Sequence, residues 1–144
     1  AKYLQTTPEK MVQFGQMTTV GGALSGTIGI NAHYANALAA LYIACGQDAA
    51  CVAESAIGMT RMEINEQGGL YACVTLPNLM LGTVGGGTGL PSQKACLDIL
   101  GLHGNGNAKA LAEVAASLCL AGELSIVGAF CADHFTRAHQ KLAR

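Results

Sequence analysis

Residues 59–76 read MTRMEINEQGGLYACVTL. Two strand-like runs, residues 59–64 and residues 70–76, flank the polar segment 65–69, which ends in two glycines. Apolar runs of this length joined by a short glycine-containing turn are typical of a β-hairpin. Because helical patterns lie on both sides of this hairpin, the chain is predicted to be an α+β protein, with helices packed on a small sheet.

A helix is predicted before the hairpin. Thr7, followed by Pro8 and Glu9, has the residue types of a helix start, and this helix is expected to end near Phe14. The glycines that follow indicate a flexible or closely packed stretch. They are Gly15, Gly21, Gly22, Gly26 and Gly29.

Further helices are predicted from apolar spacing near 3.6 residues and from their end signals. They cover residues 32–45, residues 48–55, residues 91–100, and the chain from residue 108 almost to its end. Asn31 is the expected cap of the first, and Gly46 and Gly101 are expected to end the first and third. In the last helix a break is expected at Ala121-Gly122.

The composition limits the partners. The chain of 144 residues is 51 % hydrophobic and 12 % charged, with a net charge of −1. The charged share is about half the usual value, so much of the surface is expected to face other protein, which favours a homodimer or higher homo-oligomer. The small net charge gives no electrostatic reason to expect nucleic acid or an anionic membrane as a partner.

Two features bear on location. A membrane-spanning helix needs about 18–20 apolar residues, whereas the apolar stretch 108–120 is shorter and carries charge, so no membrane segment is expected. None of the six cysteines forms a CxxC pair, which leaves no zinc-ribbon spacing. We interpret the cysteines as buried, reduced thiols that act as small hydrophobic residues, and this favours the cytoplasm.

The strongest local signal for chemistry is residues 81–88, LGTVGGGT, in which the apolar run 79–84, interpreted as a strand, leads into three glycines. Glycine lacks a Cβ, so the backbone amides of such a loop approach a phosphate closely. The pattern is neither GxGxxG nor a Walker loop. From these residues alone, a ligand loop and a tight packing turn are equally supported.

Three further residues are candidates for acid–base chemistry. Asp48 lies just past an almost uncharged helix and before a short one, so a helix cap and a catalytic carboxylate are both open. His134 and His139 are five residues apart, so they do not share one helix face as i, i+4 metal ligands do, and no metal site is expected. A histidine has the pKa suited to proton delivery near neutral pH.

A polar pair interrupts the predicted helix 32–45. His33 and Asn36 are spaced i, i+3 and therefore share one face of that helix. In an apolar helix such groups need buried hydrogen-bond partners or a ligand.

Four segments together resemble, in the same order, motifs of the class I-like hydroxymethylglutaryl-CoA reductases. They are residues 31–36 (NAHYAN), residues 46–48 (GQD), residues 82–88 (GTVGGGT) and residues 121–125 (AGELS) with His134 and His139. The first resembles the family's substrate-side helix and the second the segment with its catalytic aspartate. The third is similar to its nicotinamide-dinucleotide loop, and the last to its final helices, whose last histidine is catalytic.

This resemblance implies a fold and an activity. Residues 1–144 are expected to be the carboxy-terminal portion of the family's large, substrate-binding domain, without its small inserted dinucleotide domain. The family reduces hydroxymethylglutaryl-CoA to mevalonate and coenzyme A with two molecules of reduced nicotinamide cofactor. NADPH is the expected cofactor and NADH the alternative. The family builds its active sites at a dimer interface.

The resemblance also implies residue roles. His139 supplies a proton to the departing thiolate, and Asp48 tunes a neighbouring cationic or acidic group. His33 and Asn36 line the substrate side. The dinucleotide is held by the loop residues Val84, Gly85, Gly86, Gly87 and Thr88.

A second hypothesis comes from what the segment lacks. The family's catalytic glutamate and carbonyl-polarising lysine lie upstream of the residues present here, so turnover is expected only with the upstream part of the enzyme. Met17 stands where the family usually has lysine, and Asp133 where it has a small residue. These departures favour a non-catalytic remnant or accessory subunit that binds partner protein or acyl-CoA. The retained His139, Asp48 and glycine loop favour the enzyme.

Overall fold

The computed structural model describes residues 3–142, which form helices packed on a small sheet. The helices are α1 (Pro8–Leu24), α2 (Tyr34–Ala44), α3 (Val52–Ser55), α4 (Pro91–Ile99), α5 (Ala108–Cys131) and α6 (His134–Leu142). The strands β1 (Met59–Ile64) and β2 (Leu70–Thr75) form a two-stranded antiparallel sheet. The predicted α+β fold is confirmed.

The hairpin forms because Asn65 organises its turn. Its Oδ1 accepts hydrogen bonds from the amides of Gln67 at 3.1 Å and Gly69 at 2.7 Å. Gly68 adopts a φ of 76°, a left-handed conformation that glycine reaches without steric cost. The two strands pair along their full length. The predicted hairpin is confirmed, with its second strand ending at Thr75.

The core lies between α2 and α5, two helices with very few charged residues. α4 and the hairpin pack against them. The fully buried apolar residues of this core are Tyr34, Leu38, Tyr42, Leu97, Leu111, Ala115 and Cys119. Burial of a large apolar side chain stabilises the fold by about 1.5–3 kcal/mol. This packing fixes the direction of α2, which has candidate site residues at both ends.

Helix α1 is longer than predicted. It runs to Leu24 rather than to Phe14 and contains Gly15, Gly21 and Gly22. Each interior glycine costs about 1 kcal/mol relative to alanine, but α1 packs on β1 and α5. A Cβ on Gly22 would lie 2.7 Å from Ile30 Cδ1, so this glycine permits close approach. Tertiary packing therefore overrides local propensity here.

The break expected at Ala121-Gly122 is also wrong. Helix α5 is continuous over 24 residues, and the chain breaks instead at Asp133, whose φ is 56°. Gly122 lies inside the helix. A glycine is required at this position because the imidazole of His33 occupies the space that a side chain would need. The glycine that we interpreted as a helix breaker is therefore a packing position.

The length of α5 changes the membrane argument. The helix is long and apolar enough to cross a bilayer by length and composition, with a mean hydropathy of 1.9 over its most apolar window. The expectation that the stretch 108–120 is too short is therefore wrong as stated. Core helices meet the same criterion, and α5 packs on α1, α2 and β2 and contains the buried carboxylate of Glu123. Of its most apolar window 28 % is buried, and the buried residues Leu111, Ala115 and Cys119 belong to the core.

Candidate functional site

The turn after α2 and the glycine loop line one open cleft of about 250 Å³. Asp48 and Cys51 lie on one side, and Val84, Gly85 and Gly86 lie on the other. Asp48 and the loop are more than 30 residues apart in the chain. The structure therefore brings together two of the motifs that the sequence predicts to be functional.

Gln47 holds the two sides of this cleft together. Its Nε2 donates to Gly82 O at 2.9 Å, and its Oε1 accepts from Gly82 N at 2.7 Å. The same Nε2 also lies 2.8 Å from Cys45 O. Residues 79–84 are not a strand, contrary to the prediction. In place of a neighbouring strand, the side-chain amide of Gln47 satisfies both backbone groups of Gly82.

The glycines of the loop have different roles. A Cβ on Gly46 would lie 2.4 Å from Gly87 C, and one on Gly87 would lie 2.9 Å from Gly46 O, so these two backbones are in close contact. Gly85 and Gly86 have φ values of 75° and 52°, and no atom of the described part of the chain lies within 4 Å of a Cβ built on either. The loop therefore contains a packing glycine, Gly87, beside two glycines that face open space.

Two threonine hydroxyls support the loop from inside. Thr83 Oγ1 donates to Gly104 O at 2.6 Å, and Thr88 Oγ1 donates to Gly85 O at 2.6 Å. Both side chains are buried. The Thr88 hydroxyl is thus engaged within the loop, where it holds Gly85 in place.

Asp48 is exposed and caps the 3₁₀ turn Ala49–Cys51. Its Oδ1 accepts a hydrogen bond from Ala50 N at 2.9 Å. Loss of solvation first, and then the Asp48 carboxylate, raise the pKa of the neighbouring Cys51 thiol. The cap is therefore real, and the carboxylate also lines the cleft. The two interpretations of Asp48 are compatible.

His33 and Asn36 lie at the other end of α2, which has 11 residues, so its ends are about 16 Å apart. Asn36 is exposed and His33 is partly buried. Asn31 Oδ1 accepts from Tyr34 N at 3.3 Å, which supports the predicted capping role, although the residue before the helix is His33. Neither His33 nor Asn36 lines the Asp48 cleft.

Glu123 of α5 holds this end of α2. Its Oε1 accepts hydrogen bonds from Ala32 N at 2.7 Å and His33 N at 2.5 Å. Its Oε2 lies 2.9 Å from Thr60 Oγ1, which donates to it. The side chain is only 2 % exposed. A buried carboxylate needs such donors, and these come from two segments that are more than 60 residues away in the chain, residues 32–33 and Thr60.

The Glu123 carboxylate affects the pKa of a neighbouring buried thiol. Burial, and then the charge of Glu123, raise the pKa of the Cys119 thiol to about 11. Burial is also the main cause that raises the pKa of Tyr34. The Tyr34 hydroxyl donates to Met59 O at 2.9 Å. These groups remain protonated at neutral pH, so the polar cluster beside His33 is a fixed hydrogen-bonded frame.

His139 lies on α6. Its Nδ1 is 2.9 Å from Phe135 O, and its ring lies 4.2 Å from the ring of Phe135. Phe130 joins this pair to Phe14 of α1. Helix α6 packs on α5, and the lining of the Asp48 cleft includes neither His134 nor His139. Both histidines are exposed.

Sequence reasoning missed Gln47 and Glu123. Glu123 had a signal, since it is the one charged residue between Glu113 and Asp133, and a lone glutamate in an apolar helix is rarely buried without partners. Gln47 had none, because its function depends on the position of Gly82, which only the tertiary structure shows.

Comparisons with known proteins agree with the family that the sequence motifs resemble. The family model for hydroxymethylglutaryl-coenzyme A reductase matches residues 1–144. The 3-hydroxy-3-methylglutaryl-coenzyme A reductase of Methanocaldococcus jannaschii is 45 % identical, with 99 % of this chain and 35 % of the relative covered. The protein of the same name from Pyrococcus horikoshii is 46 % identical, with 99 % and 36 % covered.

The similarity extends to a eukaryote. The 3-hydroxy-3-methylglutaryl-coenzyme A reductase 2 of Dictyostelium discoideum is 46 % identical, with 96 % of this chain and 28 % of the relative covered. The chain spans about a third of the length of these relatives. Since the family model matches its whole length, the chain belongs to the hydroxymethylglutaryl-coenzyme A reductase family.

Proposed function

We propose that this chain is the carboxy-terminal portion of the large domain of an enzyme that reduces 3-hydroxy-3-methylglutaryl-CoA to mevalonate and coenzyme A. The observation that supports this most is the shared cleft of about 250 Å³, which is lined both by Asp48 and by the glycine loop. A carboxylate beside an open glycine loop fits a reduction that needs both a bound dinucleotide and controlled protonation.

The loop fits part of a dinucleotide. Gly85 and Gly86 have left-handed φ values and open space where a Cβ would lie, so a phosphate or ring can approach their backbone. The cleft is smaller than the roughly 300–1,000 Å³ of a complete ligand site. Val84 to Gly87 would therefore hold one part of NADPH, or of NADH, and Thr88 would keep the loop in shape. The bound cofactor supplies hydride.

The chain's own residues have the remaining roles in this proposal. Asp48 influences the protonation of a cationic or acidic group brought by the upstream part of the enzyme. His33 and Asn36 line the substrate side at the other end of α2. His139 delivers a proton to the departing thiolate. Its side chain is exposed and therefore accessible to a ligand.

A homodimer or higher homo-oligomer is part of the proposal. His139 and the Asp48 cleft are not in contact within one chain. A site built between subunits allows His139 of one chain to act at a cleft that it does not line in its own.

The first prediction concerns completeness. The chain alone is expected to show no turnover with hydroxymethylglutaryl-CoA, because no cationic side chain among the described residues 3–142 lines its cleft to stabilise the carbonyl oxygen as negative charge develops. Cofactor oxidation is measured for the chain alone and for the polypeptide with its upstream part. Turnover by the chain alone contradicts our assignment of the polarising group. No turnover by the longer polypeptide contradicts the proposed function and supports the accessory role.

The second prediction concerns the glycine loop. In the longer polypeptide, Gly86→Val is expected to weaken dinucleotide binding at least about tenfold, while acyl-CoA binding changes less than twofold. A branched Cβ blocks close approach of the dinucleotide and strains a residue with φ of 52°. Both dissociation constants are measured by calorimetry.

Gly89→Val is the matched control for this prediction. Gly89 lies in the same loop, has no left-handed φ and faces open space, so valine there is expected to leave both dissociation constants within twofold. Equal weakening of both ligands by Gly86→Val, or unfolding measured by circular dichroism, supports the packing-turn interpretation.

A further inference from the structure

Two adjacent residues of α5 contact the start of α2 in different ways. The Glu123 carboxylate accepts the amides of Ala32 and His33. Gly122 provides space, since a Cβ built there would lie 1.7 Å from Cδ2 of the His33 ring. Glu123 thus binds the main chain of His33, and Gly122 leaves the space that the imidazole of His33 occupies.

The contacts are built into the buried part of the molecule. Glu123 is 2 % exposed, and its second oxygen accepts from Thr60 on β1. The amide of Thr60 in turn donates to Ile30 O at 2.9 Å, so the segment before His33 is also attached to the hairpin. A carboxylate with three donors holds its partners more firmly than neutral hydrogen bonds do.

We infer that Gly122 and Glu123 are positioning residues that set the location and ring orientation of His33 for acyl-CoA binding. This inference rests on the proposed function, in which His33 lines the substrate side. Helix termini expose amides that are satisfied by a cap, by water or by a ligand. Here Asn31 caps Tyr34 N locally, and the Glu123 carboxylate from a distant helix binds the two amides just before α2, so α5 helps to fix where α2 begins.

Gly122→Ala tests the imidazole contact. Alanine is the best helix former, so α5 is expected to stay intact, while the new methyl group displaces the His33 ring. In the longer polypeptide we expect KM for the acyl-CoA to rise about tenfold, as in His33→Ala, with KM for the dinucleotide within twofold. The double variant Gly122→Ala/His33→Ala is expected to match His33→Ala alone, because the effect acts through that ring.

Glu123→Ala and Glu123→Gln test the main-chain contact. Glutamine keeps an oxygen for the two amides, so it is expected to retain a KM within about threefold of wild type, whereas alanine raises it about 10- to 100-fold by removing a charged acceptor. Glu113→Ala is the matched control, because Glu113 is an exposed glutamate on the same helix. It is expected to leave both KM values unchanged.

A readout without turnover separates this inference from the proposed function. Amide exchange of Ala32 and His33 is expected to accelerate at least about tenfold in Glu123→Ala, since the acceptor is lost. Gly122→Ala is expected to shift the NMR resonances of the His33 ring while both amides stay protected. If the wild-type enzyme does not reduce the thioester, the proposed function fails, and these exchange data still test the positioning.

Three results contradict the inference. The first is an unchanged acyl-CoA KM in Gly122→Ala with a shifted His33 ring. The second is additivity of Gly122→Ala and His33→Ala. The third is unchanged amide exchange in Glu123→Ala. Should Glu123→Ala fail to fold, Gly122→Ala and Glu123→Gln decide the matter, because both keep the buried carboxylate position filled by a polar group.

Discussion

Substitution of His139 by glutamine is expected to lower thioester reduction about 10²- to 10⁴-fold, the usual contribution of a positioned proton donor. A thiolate with a pKa near 8–9 leaves more easily when it is protonated as it departs. Glutamine has a similar length but no proton to give near neutral pH. Binding of both ligands is expected to change little.

In the proposed role of His139, its hydrogen bond indicates which ring nitrogen would act. Its Nδ1 lies 2.9 Å from Phe135 O, and a carbonyl oxygen accepts hydrogen bonds, so Nδ1 carries hydrogen and donates. Nε2 is then the nitrogen that would deliver the proton in the proposed role. The ring also packs on the ring of Phe135, with centroids 4.2 Å apart.

The effect of His139→Gln is expected to depend on the step. Reduction of free mevaldehyde releases no thiolate, so its rate is expected to fall far less than that of the thioester. Stopped-flow measurements of cofactor oxidation with each substrate test this. His134→Gln is the matched control, because His134 is an exposed histidine on the same helix. Equal losses with both substrates, or a larger loss in His134→Gln, would show that the leaving-group role is wrong.

Substitution of Asp48 by asparagine is expected to reduce turnover about 10²- to 10⁴-fold with almost no change in stability. Asparagine caps about as well as aspartate, so the hydrogen bond from Ala50 N at 2.9 Å survives. The negative charge at the cleft is lost, and with it the influence of Asp48 on the protonation of groups around it. Melting temperature and rate are measured on the same samples.

Asp98→Asn is the control for charge alone. Asp98 is an exposed aspartate on α4 that pairs with Lys94 at 2.6 Å, and such surface pairs contribute little. Its asparagine variant is expected to keep turnover within about twofold. If Asp48→Asn is both stable and active, Asp48 is a helix cap and the proposal loses its carboxylate.

Local patterns were sufficient for elements whose stability is set by nearby residues. The hairpin follows from two strand-like runs and the Asn65 turn, and α4 follows from Pro91 at its start and Gly101 after its end. The family motifs are likewise contiguous, so they are legible without a fold. The proximity of Asp48 to the glycine loop is different, because it depends on a contact between Gly46 and Gly87.

The sequence alone therefore determined the α+β class, the hairpin and the segments that resemble the reductase family. The tertiary structure decided which of these segments lie next to one another. Glycines read as helix breakers, such as Gly22 and Gly122, lie inside helices because close packing against Ile30 and His33 outweighs their poor helix propensity. The Glu123 carboxylate can be buried because it accepts hydrogen bonds, and its donors come from segments that are distant in the chain. Such contacts depend on the packing of whole elements, which no local pattern encodes.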